Sequence, residues 1–264
     1  MESVTSADGT PIAFEHTGSG PPLVLVHGMA GNHARWELFN IRPTLSEHTT
    51  VYAIDRRGHG ESGDANEYAL VLEFEDVAAV VDSIDDPVNL LGHSHGGLCV
   101  LEAALRTDNL RTLIVYEPAG PWEEHLYSEK LYEELETLVE DGENEQALLL
   151  FLREVVELPE SQIDDLRAAP NWSARVAEAP TLPREYRSPT TYEFDPERFA
   201  DMTTPTLLLV GGESPQWAKE ATDALNDALP KSRISVLEGQ GHLAMNTAPD
   251  LFIDEVLAFI RGSS

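Results

Sequence analysis

Short apolar runs alternating with helix-spaced segments constrain this chain more than any other feature of its sequence. Residues 23–26 read Leu-Val-Leu-Val, continuously apolar, as a strand covered on both faces must be. Residues 50–54, 88–91, 112–115, 206–210 and 233–237 repeat that character. Between them, residues 68–84, 96–106, 217–229 and 249–260 carry apolar side chains at helical spacing. Parallel strands need a long crossover, so the alternation predicts an α/β fold: a mostly parallel sheet with helices on both faces. The chain's start differs. Val4 and residues 12–15 flank Asp8-Gly9, which predicts a hairpin.

The alternation is interrupted once. From about residue 118 to about residue 199 no convincing strand occurs. Leu131, Leu135, Leu138 and Val139 fall at helical spacing, as do Leu148, Phe151, Leu152 and Val155. Pro159, Pro170, Pro180 and Pro183 punctuate them. A Glu-rich stretch of this length would make a thin core alone, so a helical cap inserted between two core strands is the expectation. That places the core at residues 1–117 and 200–264 and the cap at 118–199, within the size of one large domain.

The charge balance excludes some partners. Lys and Arg total 17 against 47 for Asp and Glu, a formal net charge of -30. Such a field repels nucleic acid and anionic membrane surfaces. Lysine is confined to Lys130, Lys219 and Lys231. An excess of surface carboxylates keeps a protein soluble where charge is heavily screened, which suggests adaptation to high salt. Unfolding across a potassium chloride series tests this, and full stability in dilute buffer would overturn it. Cys99 is the single cysteine, so no intrachain disulfide can form. The first twenty residues show no basic start followed by an apolar run, and no apolar run approaches bilayer length. A cytoplasmic location is therefore expected.

Four motifs carry chemistry. Gly92-His93-Ser94-His95-Gly96-Gly97 follows the apolar run 88–91 and precedes a helical one. In that context G-x-S-x-G is a sharp reversal that lifts the serine hydroxyl above the sheet edge, with glycines where Cβ atoms would clash. Ser94 is the candidate nucleophile. His27-Gly28-Met29-Ala30-Gly31 follows the run 23–26, and its glycines let the loop fold inward. The backbone N–H groups of Met29 and His95 are the candidate oxyanion donors. Residues 55–62, Asp-Arg-Arg-Gly-His-Gly-Glu-Ser, read as a turn held by charge and glycine, with His59 in packing and hydrogen bonding. Gly239-Gln240-Gly241-His242 follows the last strand, and His242 is the candidate general base. His27, His93 and His95 flank glycines and are expected to shape the site. His16, His33, His48 and His125 read as surface residues.

The order of these motifs resembles that of the α/β-hydrolase superfamily, in its serine esterase branch. The resemblance covers the whole chain except the cap. It implies an eight-stranded, mostly parallel sheet, a Ser–acid–His triad, and neither metal nor organic cofactor. The acid departs from the family's usual pattern. The expected loop reads Val210-Gly211-Gly212-Glu213-Ser214-Pro215 and lacks an Asp, leaving Glu213 as the local candidate. Glu117 is the other. Certain haloalkane dehalogenases carry a glutamate at the end of this strand, and Glu117-Pro118-Ala119-Gly120-Pro121-Trp122 resembles their stretch. Glu117 is favoured on that likeness, with Glu213 as competitor. Position 94 is serine rather than the aspartate of dehalogenases and epoxide hydrolases, which disfavours both of those chemistries. The expectation is acyl transfer on a small to medium ester. C–C hydrolysis, lactone hydrolysis, cofactor-free perhydrolysis and slow-turnover ligand binding are the alternatives. Trp122, Leu126, Leu148, Phe151 and Trp172 are the expected apolar wall of the substrate site.

Overall fold

The computed structural model describes residues 1–65, 67–120 and 127–263. Its strands are β1 (Glu2–Thr5), β2 (Pro11–Gly18), β3 (Pro22–Val26), β4 (Thr50–Ile54), β5 (Val88–His93), β6 (Leu110–Tyr116), β7 (Thr206–Gly211) and β8 (Ser232–Leu237). They form an eight-stranded sheet in the order β1-β2-β4-β3-β5-β6-β7-β8. The expected hairpin pairs β1 with β2, with Val4 opposite Ile12, and β2 continues antiparallel onto β4. Every other pairing is parallel.

Alternate residues along the strands feed two apolar layers, as the period of two in a strand demands. Val24, Val26, Leu90, Leu113, Val115 and Leu208 face one layer, completed by α2 (Leu70–Asp82) and α3 (His95–Ala103). Leu23, Leu25, Leu91, Ile114 and Leu209 face the other, with α1 (Ile41–Ser46) and the last helix against them. Both faces being covered explains why β3, β5 and β7 are buried throughout and read as unbroken apolar runs.

All described residues between β6 and β7 are helical or irregular. This stretch contains α4 (Glu129–Glu140), α5 (Asn144–Glu154), α6 (Glu160–Ala168), α7 (Trp172–Ala177) and α8 (Leu182–Arg187). Leu135, Leu148, Phe151 and Leu182 belong to the same continuous apolar cluster as Leu25 and Met245 of the sheet side. The chain closes with α9 (Gln216–Ala228), α10 (Ala244–Thr247) and α11 (Pro249–Gly262). Because β3 to β8 run in parallel, the loops after β3, β5, β6, β7 and β8 all leave from one edge. The motif-bearing loops are therefore neighbours in space although they span more than two hundred residues.

Candidate active site

Ser94 sits between β5 and α3 with φ 55° and ψ -124°, a conformation that non-glycine residues rarely hold. The surroundings enforce it. Its N–H donates to Tyr116 O at 2.9 Å, and its own carbonyl accepts from Ala119 N at 3.0 Å and Leu98 N at 3.2 Å. The turn also demands glycine at two positions. A Cβ on Gly92 would lie 2.2 Å from Gly96 O, and one on Gly96 would lie 2.4 Å from the carbonyl oxygens of both Val26 and His27. The loop after β3 is thus pressed against the turn that holds Ser94. Among the described residues, the N–H groups of Met29 and His95 donate to no protein acceptor. His95 is the first residue of α3, where N–H groups lack intrahelical partners.

His242 lies on the loop between β8 and α10. Its Nδ1 is 2.6 Å from Glu117 Oε2. A carboxylate only accepts, so Nδ1 carries the proton and Nε2 is left free to take one. Glu117 follows β6 with φ 41° and is fully buried. Its other oxygen accepts from Gly211 N at 2.7 Å and Ser214 Oγ at 2.5 Å. Glu213 stands elsewhere: it is exposed, and its backbone N–H donates to Gln240 O at 2.8 Å. The loop after β7 therefore supplies donors to Glu117, through Gly211 and Ser214, and these were not among the sequence candidates.

Two further groups fix the His242 loop. His93 Nε2 donates to His242 O at 2.9 Å, its ring centroid 4.6 Å from that of His242. Burial, reinforced by the nearby His242 ring and by Arg35 and Arg175, holds His93 well below the usual imidazole range, so it stays neutral. The Tyr116 hydroxyl donates to Gly241 O and accepts from Ala244 N.

Ser94 and His242 line two joined spaces. One is a chamber of about 370 Å³, walled by Ala119, Tyr127, Phe151, Val155, Tyr186, Pro189 and Trp217. The other is a narrow arm of about 40 Å³ reaching Asn32, Arg35, Asn171 and Arg175. Of the described residues of the expected apolar wall, only Phe151 lines the chamber. Leu148 is fully buried in helix packing, and Trp172 instead donates through Nε1 to Glu145 at 3.1 Å. Trp122 and Leu126 lie outside the described residues, as does His125. Trp217, from α9, takes the aromatic place, its ring 6.0 Å from that of His242.

Residues 55–62 form the turn expected of them. Asp55 accepts from His33 N, His33 Nδ1 and Glu61 N, at 2.7, 2.8 and 3.0 Å. His33 is thus not the surface residue its polar neighbours suggested; the Asp55 hydrogen bond raises its pKa. His59 is buried between Glu185, at 2.6 Å, and Glu178, at 3.2 Å. Burial opposes its protonation, but the charge of Glu185, the hydrogen bond to it and the nearby Glu178 carboxylate outweigh it and lift its pKa to about 8. Arg56 joins the cluster, bonding both oxygens of Glu73 and, at 2.7 Å, Glu185. Glu73, His95 and Cys99 present ligand atoms within 4.8 Å of one another, as a metal would need. Both Glu73 oxygens, however, already answer Arg56, and burial pushes the Cys99 thiol well above its usual range. The donor set suits an arginine better than a metal ion.

Comparison with known proteins agrees with this architecture. Residues 23–255 match the model of the alpha/beta hydrolase family. The chain belongs to that family. It resembles an alpha/beta hydrolase from Sphaerobacter thermophilus DSM 20745, with a TM-score of 0.83 and 34% identity over 98% of this chain and 99% of the other. The pimeloyl-[acyl-carrier protein] methyl ester esterase of Aeromonas hydrophila is 27% identical over 259 residues, covering 94% of this chain and 99% of the relative. Esterase RhEst1 from Rhodococcus sp. ECU1013 shares the fold, with a TM-score of 0.76 at 24% identity over 100% and 99% of the two chains.

Proposed function

We propose that this protein is a carboxylic ester hydrolase working through Ser94, His242 and Glu117. The observation that carries the reading is the 2.6 Å contact between His242 Nδ1 and Glu117, on an imidazole that shares its cavity with the strained Ser94. The ester-hydrolase name of the Aeromonas relative supports the substrate class. In the first step His242 Nε2 takes the Ser94 proton as Oγ attacks the ester carbon. The N–H groups of Met29 and His95 receive the oxyanion, each worth about 3 kcal/mol in the transition state. Collapse expels the alcohol, which leaves with the proton held by His242. Water, deprotonated by His242, then attacks the acyl-enzyme; the acid departs and Ser94 regains its proton. No step needs a metal or an organic cofactor. Among the described residues no helix is long and apolar enough to cross a membrane. We also propose a small-molecule substrate, which the acidic balance supports by disfavouring nucleic acid and anionic membranes, and a cytoplasmic location.

The test is Ser94→Ala against a panel of p-nitrophenyl esters, lactones and β-diketones, together with labelling by a fluorophosphonate. The expected result is ester turnover and stoichiometric labelling in the native protein, both lost in the variant. Full esterase activity in Ser94→Ala would refute the reading. Preferred turnover of lactones or β-diketones would reassign the substrate.

A further inference from the structure

Four arginines are at least nine-tenths buried: Arg35, Arg56, Arg57 and Arg175. Arg56 and Arg57 are locked into carboxylates, Arg56 with Glu73 and Glu185, Arg57 with Asp76 and Asp8. Arg35 and Arg175 have no carboxylate partner among the described residues. Among the described residues Arg35 Nε and Nη2 have no hydrogen-bond partner, and its guanidinium lies 5.6 Å over the Trp36 ring. Arg175 gives one long bond, Nε to Ala30 O at 3.3 Å. Both arginines line the narrow arm beside Ser94 and His242. Glu178 shares that wall, but it already answers Asn32 Nδ2, Gly60 N and His59.

Two unpaired cations in one buried arm are costly unless an anion joins them. The cost is visible in their acidity. Burial, then the charge of Arg175, brings Arg35 down to about 9, and burial brings Arg175 down to about 10. Both still carry charge at neutral pH. Other arginines of the chain also lack a carboxylate partner among the described residues, but these two are buried.

We propose that Arg35 and Arg175 form a carboxylate-binding subsite, so that the substrate is an ester with a free carboxylate on one side of the scissile bond and an apolar group on the other. The arm is the smaller of the two spaces, and both guanidiniums line it. A guanidinium fork matches a carboxylate in-plane. The larger chamber, lined by Phe151, Val155, Tyr186 and Trp217, takes the apolar group. Ser94 and His242 border both spaces, which sets the ester carbon at their junction. The inference rests on the ester-hydrolase reading and adds the charge of the substrate to it.

The test compares monobutyl glutarate with butyl 5-oxohexanoate, its neutral isostere, at fixed salt. The native enzyme should prefer the acidic half-ester in kcat/KM. Arg35→Met and Arg175→Met should each lower that preference by about a hundredfold, as expected when one partner of a buried charge pair is lost. Because each variant removes an unpaired buried charge, its Tm should equal or exceed that of the native protein. A second readout does not depend on turnover: calorimetric titration of Ser94→Ala with glutarate, repeated with Arg35→Met added. Binding that the added substitution abolishes supports the subsite, even if no ester proves to be hydrolysed. An absent preference, a preference that survives both substitutions, or glutarate affinity indifferent to Arg35 overturns it while leaving the ester-hydrolase reading intact.

Discussion

Replacing Glu117 by Gln is the sharpest perturbation the structure offers, because the carboxylate accepts on both oxygens and an amide can accept on only one. Oε1 takes Gly211 N and Ser214 Oγ, while Oε2 takes His242 Nδ1. If the glutamine oxygen turns toward His242, the buried Gly211 N–H loses its acceptor, a penalty of about 2 kcal/mol. The favoured orientation therefore points the NH₂ group at Nδ1. The imidazole must then accept there and carry its proton on Nε2, where it can no longer act as the base. The catalytically useful tautomer is disfavoured by that same amount. The variant also loses the negative charge beside the imidazolium that forms in the transition state. At a charge separation of about 4 Å and an effective dielectric of about 20, that interaction is worth about 4 kcal/mol. The total of about 6 kcal/mol corresponds to a fall in kcat of roughly four orders of magnitude. The assay is steady-state hydrolysis of p-nitrophenyl butyrate by Glu117→Gln and Glu213→Gln, with thermal unfolding to show that both fold. We expect KM to stay within a few-fold and Glu213→Gln to resemble the native enzyme. Glu117→Gln retaining a tenth of kcat, or Glu213→Gln failing equally, would refute the assignment of the acid.

Two further outcomes follow from the packing. Gly96→Ala would force a Cβ against the backbone oxygens of Val26 and His27, both at 2.4 Å. Denaturant titration should show a loss of about 3 kcal/mol or more, and fluorophosphonate labelling should fail because the turn and the loop after β3 cannot both keep their places. His59 is raised in the folded state to about 8 from an unfolded value of about 6.5. A raised histidine stabilises fully below its unfolded pKa, and that contribution disappears as pH climbs through the folded one. Unfolding free energy should therefore drop by about 2 kcal/mol between pH 6 and pH 9. His33, raised by Asp55, slopes in the same direction, so the difference between native protein and His59→Gln isolates the effect. Equal slopes in the two would contradict the pairing of His59 with Glu185.

What the sequence made legible were features written locally. The runs at β3, β5 and β7 are apolar because each strand is covered on both faces, and that pattern needs no knowledge of which strands are neighbours. Ser94 was legible for the same reason: its turn requires Gly92 and Gly96 within a few residues of it. The choice between Glu117 and Glu213 was not local. Both follow strands that end at one edge of the sheet; the likeness of residues 117–122 to the dehalogenase stretch favours Glu117, but no local pattern tells which side chain turns inward. The difference lies in the positive φ of Glu117 and in donors contributed nearly a hundred residues later by Gly211 and Ser214. Arg35 and Arg175 are harder still. One follows the loop after β3 and the other lies on α7, in a segment whose helical spacing announces packing and nothing more. An arginine's meaning is set by whether a carboxylate stands opposite it. In a chain this rich in Asp and Glu the sequence favours a paired arginine everywhere, so the unpaired ones emerge only when the neighbours are in place. The carboxylate subsite proposed for this protein thus rests on the contacts that sequence spacing carries least, between the sheet edge and the helices over it.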